Sequence, residues 1–178
     1  MNAISDAVAD CTEFSEKLRE QFISAMGNAA TGVTVVGTDG EGGRFAQTVS
    51  AMCSVSADPP TVLVCVNRRS PIVAATEINR SFSVNVLAAN QAQVADTFAG
   101  RPEAGEPYDF GCASWTTLRT GAPVLLESSA TFDCRLVDVV ESGTHRLFLG
   151  AVETTRVKPV DPLLYRARQY GRCLPLGA

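Results

Sequence analysis

Four hydroxyls recur along one stretch of this chain, Phe45–Val66 (FAQTVSAMCSVSADPPTVLVCV): Thr48, Ser50, Ser54 and Ser56. They are an even number of residues apart, the spacing that puts side chains on one face of a strand. Ala51 and Cys53 are small enough to let a flat ring approach, and Arg68, just beyond, can reach a phosphate. Hydroxyls, backbone N–H groups and one cation suit a neutral, planar or phosphate-bearing ligand, and a flavin answers that description best. Serine and threonine also line solvated strand faces, so an ordinary sheet surface accounts for the same residues at this point.

The inventory for acid–base or nucleophilic catalysis is thin. The chain of 178 residues holds one histidine, His145, and no G-x-S-x-G or H-E-x-x-H motif. No pair of carboxylates stands out. Either the protein is not an enzyme, or a bound cofactor carries the difficult chemistry while the protein binds and orients. His145 in a turn reads as a solvated residue or as a partner for nicotinamide or flavin. The six cysteines are widely and irregularly spaced with no C-x-x-C pair, which argues against a metal site or a disulfide framework. Cys53, Cys65 and Cys134 fall inside apolar strand patterns and are expected to be buried and reduced.

The elements that must hold these residues follow from periodicity. Residues 1–10 read as a flexible tail and 11–178 as one domain. From Cys11 to Met26, Phe14, Leu18, Phe22 and Met26 recur every four residues, predicting a helix that packs on a sheet, opened by Asp10 and Glu13 and stopped at Gly27-Asn28. Gly32–Thr38 is a β-branched strand, and Asp39–Gly43 is a hairpin turn rather than a phosphate loop, since no G-x-G-x-x-G fits it. Phe45–Val66 reads as two strands around Ala57-Asp58-Pro59-Pro60, the second buried on both faces. Ser70-Pro71 predicts a cap and first turn for a helix through Ile78. Ser81–Leu87 alternates as a strand, and Asn90–Ala99 is a short helix. Arg101–Ser114 is an irregular loop, with Trp115 after it as core or interface. Ala130–Glu141 and Arg146–Pro159 form an antiparallel pair about a turn at Ser142–His145. These elements argue for a mainly β (α+β) fold, an antiparallel barrel with peripheral short helices.

Composition sets the outer bounds. Hydrophobic residues make up 46% and charged residues 19%, as in globular domains, and the net charge of −4 without a basic run excludes nucleic acid and anionic membrane as expected partners. No apolar run approaches the length of a membrane span, and Asp6, Asp10 and Glu13 leave no apolar leader at the N-terminus. The cytosol is the expected compartment.

A series of short motifs, in order, carries a resemblance. It runs through Gly32-Val33-Thr34-Val35-Val36, Thr48-Val49-Ser50, Cys53-Ser54-Val55-Ser56, Asp58-Pro59-Pro60 and Val66-Asn67-Arg68. It continues through Phe82–Leu87, Phe98-Ala99-Gly100, Gly121-Ala122-Pro123, Cys134, Gly143-Thr144-His145 and Leu163-Leu164-Tyr165. From about Phe22 to Tyr170 the chain resembles the short-chain flavin reductases that serve two-component monooxygenases. The resemblance implies a split β-barrel homodimer holding FMN or FAD, with NADH or NADPH as co-substrate and a flavin-dependent monooxygenase as partner. It implies a flavin cradle over Gln47–Ser56, that is Gln47, Thr48, Val49, Ser50, Cys53, Ser54, Val55 and Ser56. Thr34, Asn67, Arg68, Asn85, Phe98 and Tyr170 complete the expected cofactor contacts, and His145 takes the position at the nicotinamide. Gln47 departs from relatives that often carry glycine there. The rival expectations are a flavin- or haem-binding protein of the same barrel without nicotinamide chemistry, an oxidase related to the pyridoxamine-phosphate enzymes, and a cofactor-free structural module.

Overall fold

The structure is a computed structural model that describes residues 16–174, 176 and 177. In chain order its strands are β1 (Thr31–Gly32), β2 (Thr34–Thr38), β3 (Phe45–Val49), β4 (Met52–Ala57), β5 (Pro60–Asn67), β6 (Ser81–Val86), β7 (Trp115–Thr117) and β8 (Pro123–Leu125). They continue with β9 (Ala130–Ser142), β10 (His145–Val157), β11 (Leu163–Arg166) and β12 (Gln169–Arg172). The helices are α1 (Glu16–Asn28), α2 (Ile72–Asn79) and α3 (Ala92–Phe98). Among the described residues no helix is long and apolar enough to cross a membrane.

Seven strands form one antiparallel sheet in the order β3-β2-β6-β9-β10-β5-β4. The sheet curls, because Val36 and Val49 from one end share a core with Val62, Val64 and Val66 from the other. Consecutive strands β3 and β4 are therefore the two free edges of a split antiparallel barrel with short helices outside it. Phe82, Phe148 and Leu136 fill the centre, each buried side chain contributing about 1.5–3 kcal/mol. Gly150 is required there: a Cβ on it would stand 2.5 Å from the Phe82 ring and 2.8 Å from the Cys134 Cβ. The ladder between β9 and β10 shifts register at that glycine.

A second core lies between the barrel and α3, built from Val33, Val35, Leu87, Phe98, Leu125 and Leu163. Over it, Phe98, Phe110 and Trp115 meet edge-on at 5.1–5.5 Å between ring centres, and the indole N–H of Trp115 donates to Phe110 O. This gives the irregular loop an ordered end, a 3-10 turn at Phe110–Cys112. Two small sheets, β1-β11-β12 and β7-β8, cover the rest.

The fold corrects several expectations. The start of the first helix, with Phe14, and the tail of residues 1–10 lie outside the described residues. The rest of that helix, α1, does not pack on a sheet: Leu18, Phe22, Ile23 and Met26 are exposed. Its end is tied down by Ala167 N donating to Gly27 O and Arg166 Nε donating to Asn28 O. Phe45–Val66 is three strands, broken again at Ser50-Ala51. β5 is not buried on both faces, since Val62, Val64 and Val66 point inward while Thr61, Leu63 and Cys65 are half-buried. Cys53 lies exposed on an edge strand; Cys134 is buried, its thiol pushed up to about 12 by burial and then by Asp133 and Glu153. Ser70 makes no capping bond to α2.

Candidate functional site

The folded chain sorts the expected site residues into groups. Thr48, Val49, Ser50 and Tyr170 converge on a cavity of about 170 Å³ beside β3, joined there by Arg101 and Tyr165. Gln47 faces a second cavity of about 190 Å³ with Ser70, Arg44 and Tyr108. A larger hollow, about 490 Å³, is elsewhere, between α1 and Arg168. Asn67 and His145 are paired across β5 and β10, at the same strand end where Cys65 N donates to Ala51 O. Thus the Ser50-Ala51 break, Asn67 and His145 gather at one rim of the barrel.

Three expected contacts are not available to a ligand. Asn85 is fully buried, its Nδ2 donating to Val35 O, Pro123 O and Ser83 Oγ while its Oδ1 accepts from Leu125 N and Thr131 Oγ1. Thr34 is buried and donates to Val49 O, and Phe98 is a core ring. Gln47 also turns away from the open strand: its Nε2 donates to Phe98 O at 3.1 Å and its Oε1 accepts from Ser70 Oγ at 2.9 Å. Thr48 Oγ1 donates to Ala95 O, which leaves its oxygen free only to accept. Ser56 exchanges hydrogen bonds with Asp58 inside the turn before β5.

What remains uncommitted is a donor set. Among the described residues, the Ser50 and Ser54 hydroxyls, Asn67 Nδ2 and the Arg68 guanidinium have no protein partner, and all four side chains are exposed. Val55 and Cys53 add exposed apolar surface on β4. One cation, one amide and two hydroxyls fit a flavin's phosphate and ribityl oxygens, and an edge strand with free backbone groups beside apolar side chains fits its ring. No group of three or more His, Cys, Asp or Glu among the described residues could hold a metal.

Two electrostatic features belong to this rim. Tyr170 donates to Asp96 Oδ1 at 2.7 Å; burial first, then that carboxylate, hold its phenol well above the ordinary value. The Cys65 thiol is raised by burial and then by nearby Cys53, so it remains a protonated thiol around neutral pH. Thr144 Oγ1 lies 2.9 Å from His145 Nδ1 and orients the ring. Sequence reasoning missed Arg101, Ser70 and Tyr165; Arg101 follows Gly100, whose positive φ of 77° ends α3 and aims the chain back toward β3.

The flavin reductase like domain matches residues 26–173. The chain belongs to the flavin reductase-like family. An FMN reductase (NADH) RutF from Bradyrhizobium diazoefficiens is 43% identical over 152 residues, covering 85% of this chain and 83% of that protein. The NADH:FAD oxidoreductase SgcE6 from Streptomyces globisporus superposes with a TM-score of 0.80 at 30% identity, over 93% of this chain and 99% of that one. The styrene monooxygenase flavin reductase SMOB from Pseudomonas putida superposes with a TM-score of 0.76 at 29% identity, over 87% and 99%. Membership of the flavin reductase-like family explains why so open a surface carries so few titratable groups.

Proposed function

We propose that this chain is an NADH-dependent reductase of FMN that hands the reduced flavin to a partner monooxygenase. The observation that carries the reading is the uncommitted donor set, Ser50, Ser54, Asn67 and Arg68, at the rim where His145 stands. The family's relatives described as an FMN reductase (NADH) and as a styrene monooxygenase flavin reductase support the substrate pair and the partner.

Bound flavin supplies the acceptor for a hydride from the nicotinamide ring, with a proton from solvent completing the two-electron reduction. The protein's part is placement. Arg68 would neutralise phosphate charge, Asn67 and the serines would hold the polar chain, and exposed β4 would offer its backbone and the Val55 and Cys53 side chains to the ring. His145, held by Thr144, would line the space in which the nicotinamide meets the flavin. No side chain has to take a proton from the reacting carbon, and alignment of the two rings contributes most of the rate. Because the site is open, exchange of oxidised for reduced flavin needs no large movement. The cytosol is the compartment that goes with this reading.

A homodimer is part of the proposal. The exposed Phe22, Ile23 and Met26 side chains on α1 support it, since three large apolar groups on one helix face are costly to leave in water. Sedimentation should give twice the chain mass, and Phe22→Ser should lower it.

Mixing the protein with NADH and FMN and following loss of NADH absorbance tests the activity. His145→Ala should reduce kcat/KM for NADH about tenfold while FMN affinity holds. A protein that binds FMN but oxidises no NADH with FMN, FAD or riboflavin defeats the reductase and leaves a flavin carrier.

A further inference from the structure

A series of hydrogen bonds, joined by the backbone of Asn67–Ser70 and of Thr144-His145, leads from the end of α3 to the imidazole. Gln47 Nε2 donates to Phe98 O at 3.1 Å, and Ser70 Oγ donates to Gln47 Oε1 at 2.9 Å. Ser70 N donates to Asn67 O and Arg69 N to Asn67 Oδ1, each at 2.9 Å, closing the turn from Asn67 to Ser70. Arg68 N then donates to Thr144 O at 3.0 Å, and Thr144 Oγ1 lies 2.9 Å from His145 Nδ1. The direction of the first two bonds is forced. A carbonyl can only accept, so the Gln47 amide must present its NH2 to Phe98 and its oxygen to Ser70.

The helix start shows that this is not incidental. A serine before Pro71 is well placed to cap α2, and helix starts prefer such a cap. Here the cap residue of α2 is Pro71, with no side-chain cap bond, and the Ser70 hydroxyl instead donates across the chain to Gln47 Oε1 on β3. A local rule is broken at the loop that carries Arg68 and abuts the His145 turn, which is where departures from local preference mark function.

We infer that Gln47 and Ser70 are positioning residues: their bond fixes the Asn67–Ser70 turn on β3 and, through Arg68 N and Thr144, sets the stance of the His145 ring. What the ring then meets rests on the reductase reading; the relay to the ring does not. Glutamine in this place braces the turn against the end of α3.

The chain's single histidine makes the test clean, because its imidazole nitrogens give one pair of NMR signals. In the free protein, Ser70→Ala should shift that pair toward tautomer averaging, and Gln47→Glu, which cannot donate to Phe98 O, should do the same. With NADH and FMN, both variants should raise the KM for NADH about fivefold to tenfold with kcat little changed, and Ser70→Thr, which keeps the hydroxyl, should recover to within about twofold. If Ser70→Ala leaves the imidazole signals and the NADH KM as in the parent protein, the relay is wrong, even where the melting temperature falls. Should Gln47→Glu fail to fold, Ser70→Ala and Ser70→Thr decide alone. If the parent protein reduces no flavin, the reductase reading fails, and the imidazole signals still decide the relay.

Discussion

β3 and β4 follow one another across two residues, carry similar polar side chains and form the two edges of the same sheet. In β3, Gln47 and Thr48 commit their donors to Phe98 O and Ala95 O of α3. In β4, Ser54 keeps its hydroxyl without a protein partner, and Cys53 and Val55 face water. The contrast teaches that a polar residue on a strand edge is a candidate binder only when no helix or loop lies against that edge. The two asparagines differ in the same way: Asn85 is saturated inside the barrel, and Asn67 holds its NH2 free at the rim.

The largest test of that contrast is Asn85→Ala, which strands the buried Leu125 N–H and takes a donor from Val35 O and Pro123 O, the second of which keeps the Ser83 hydroxyl. It should cost about 3 kcal/mol in urea unfolding, whereas Asn67→Ala should leave stability within about 0.5 kcal/mol and weaken FMN binding instead. A similar cost for both would erase the distinction. Next comes Arg68→Ala, expected to weaken FMN about tenfold by fluorescence titration while leaving riboflavin, which has no phosphate, unaffected. Equal losses for both ligands would move Arg68 off the phosphate.

Smaller effects sharpen the edge-to-edge comparison. Thr48→Val should lower stability by about 1 kcal/mol through loss of its bond to Ala95 O, and Ser54→Ala should leave stability unchanged while weakening FMN about twofold to threefold. The reverse ranking would mean that β4, not β3, is the structural edge. Last is a pH effect at Tyr170. Its phenol titrates higher in the folded protein than its ordinary 10.0, so the neutral form is favoured by folding. Its stabilisation is complete below about pH 10, where the unfolded phenol is still protonated, and is lost progressively as pH rises above that. Tyr170→Phe should therefore flatten part of the alkaline decline in melting temperature; an unchanged slope would remove Tyr170 as its source.

Much of the barrel was legible because β-branched runs such as Gly32–Thr38 and the alternation of Ser81–Leu87 have a period that only strands satisfy. The hairpin glycines at Asp39–Gly43 marked the first turn for the same reason. The site was harder, since period two says which side chains share a face and nothing of what lies over it. Ser83 and Asn85 alternate with Phe82 and Val84 as solvent-facing residues do, yet the segment Pro123–Leu125 covers them. In β5, a near-continuous apolar run made both faces look buried, although Leu63 and Cys65 are only half covered. The stripe on α1 was read correctly as apolar and wrongly as covered, because periodicity gives no partner. Ser70 looked like a cap from its neighbour Pro71, and only the distance to Gln47 shows where its hydroxyl goes.

An unpaired strand is also a hazard, since its bare N–H and C=O groups can recruit the edge of another molecule and begin a stack. β4 carries no lysine or glutamate to discourage this. Its register against β5 slips between Ser54 and Ser56, however, and the strand ends at Asp58-Pro59-Pro60, where two residues lack the N–H an incoming strand would need. The same six residues thus leave an edge open to a small guest while making it a poor template for fibril growth.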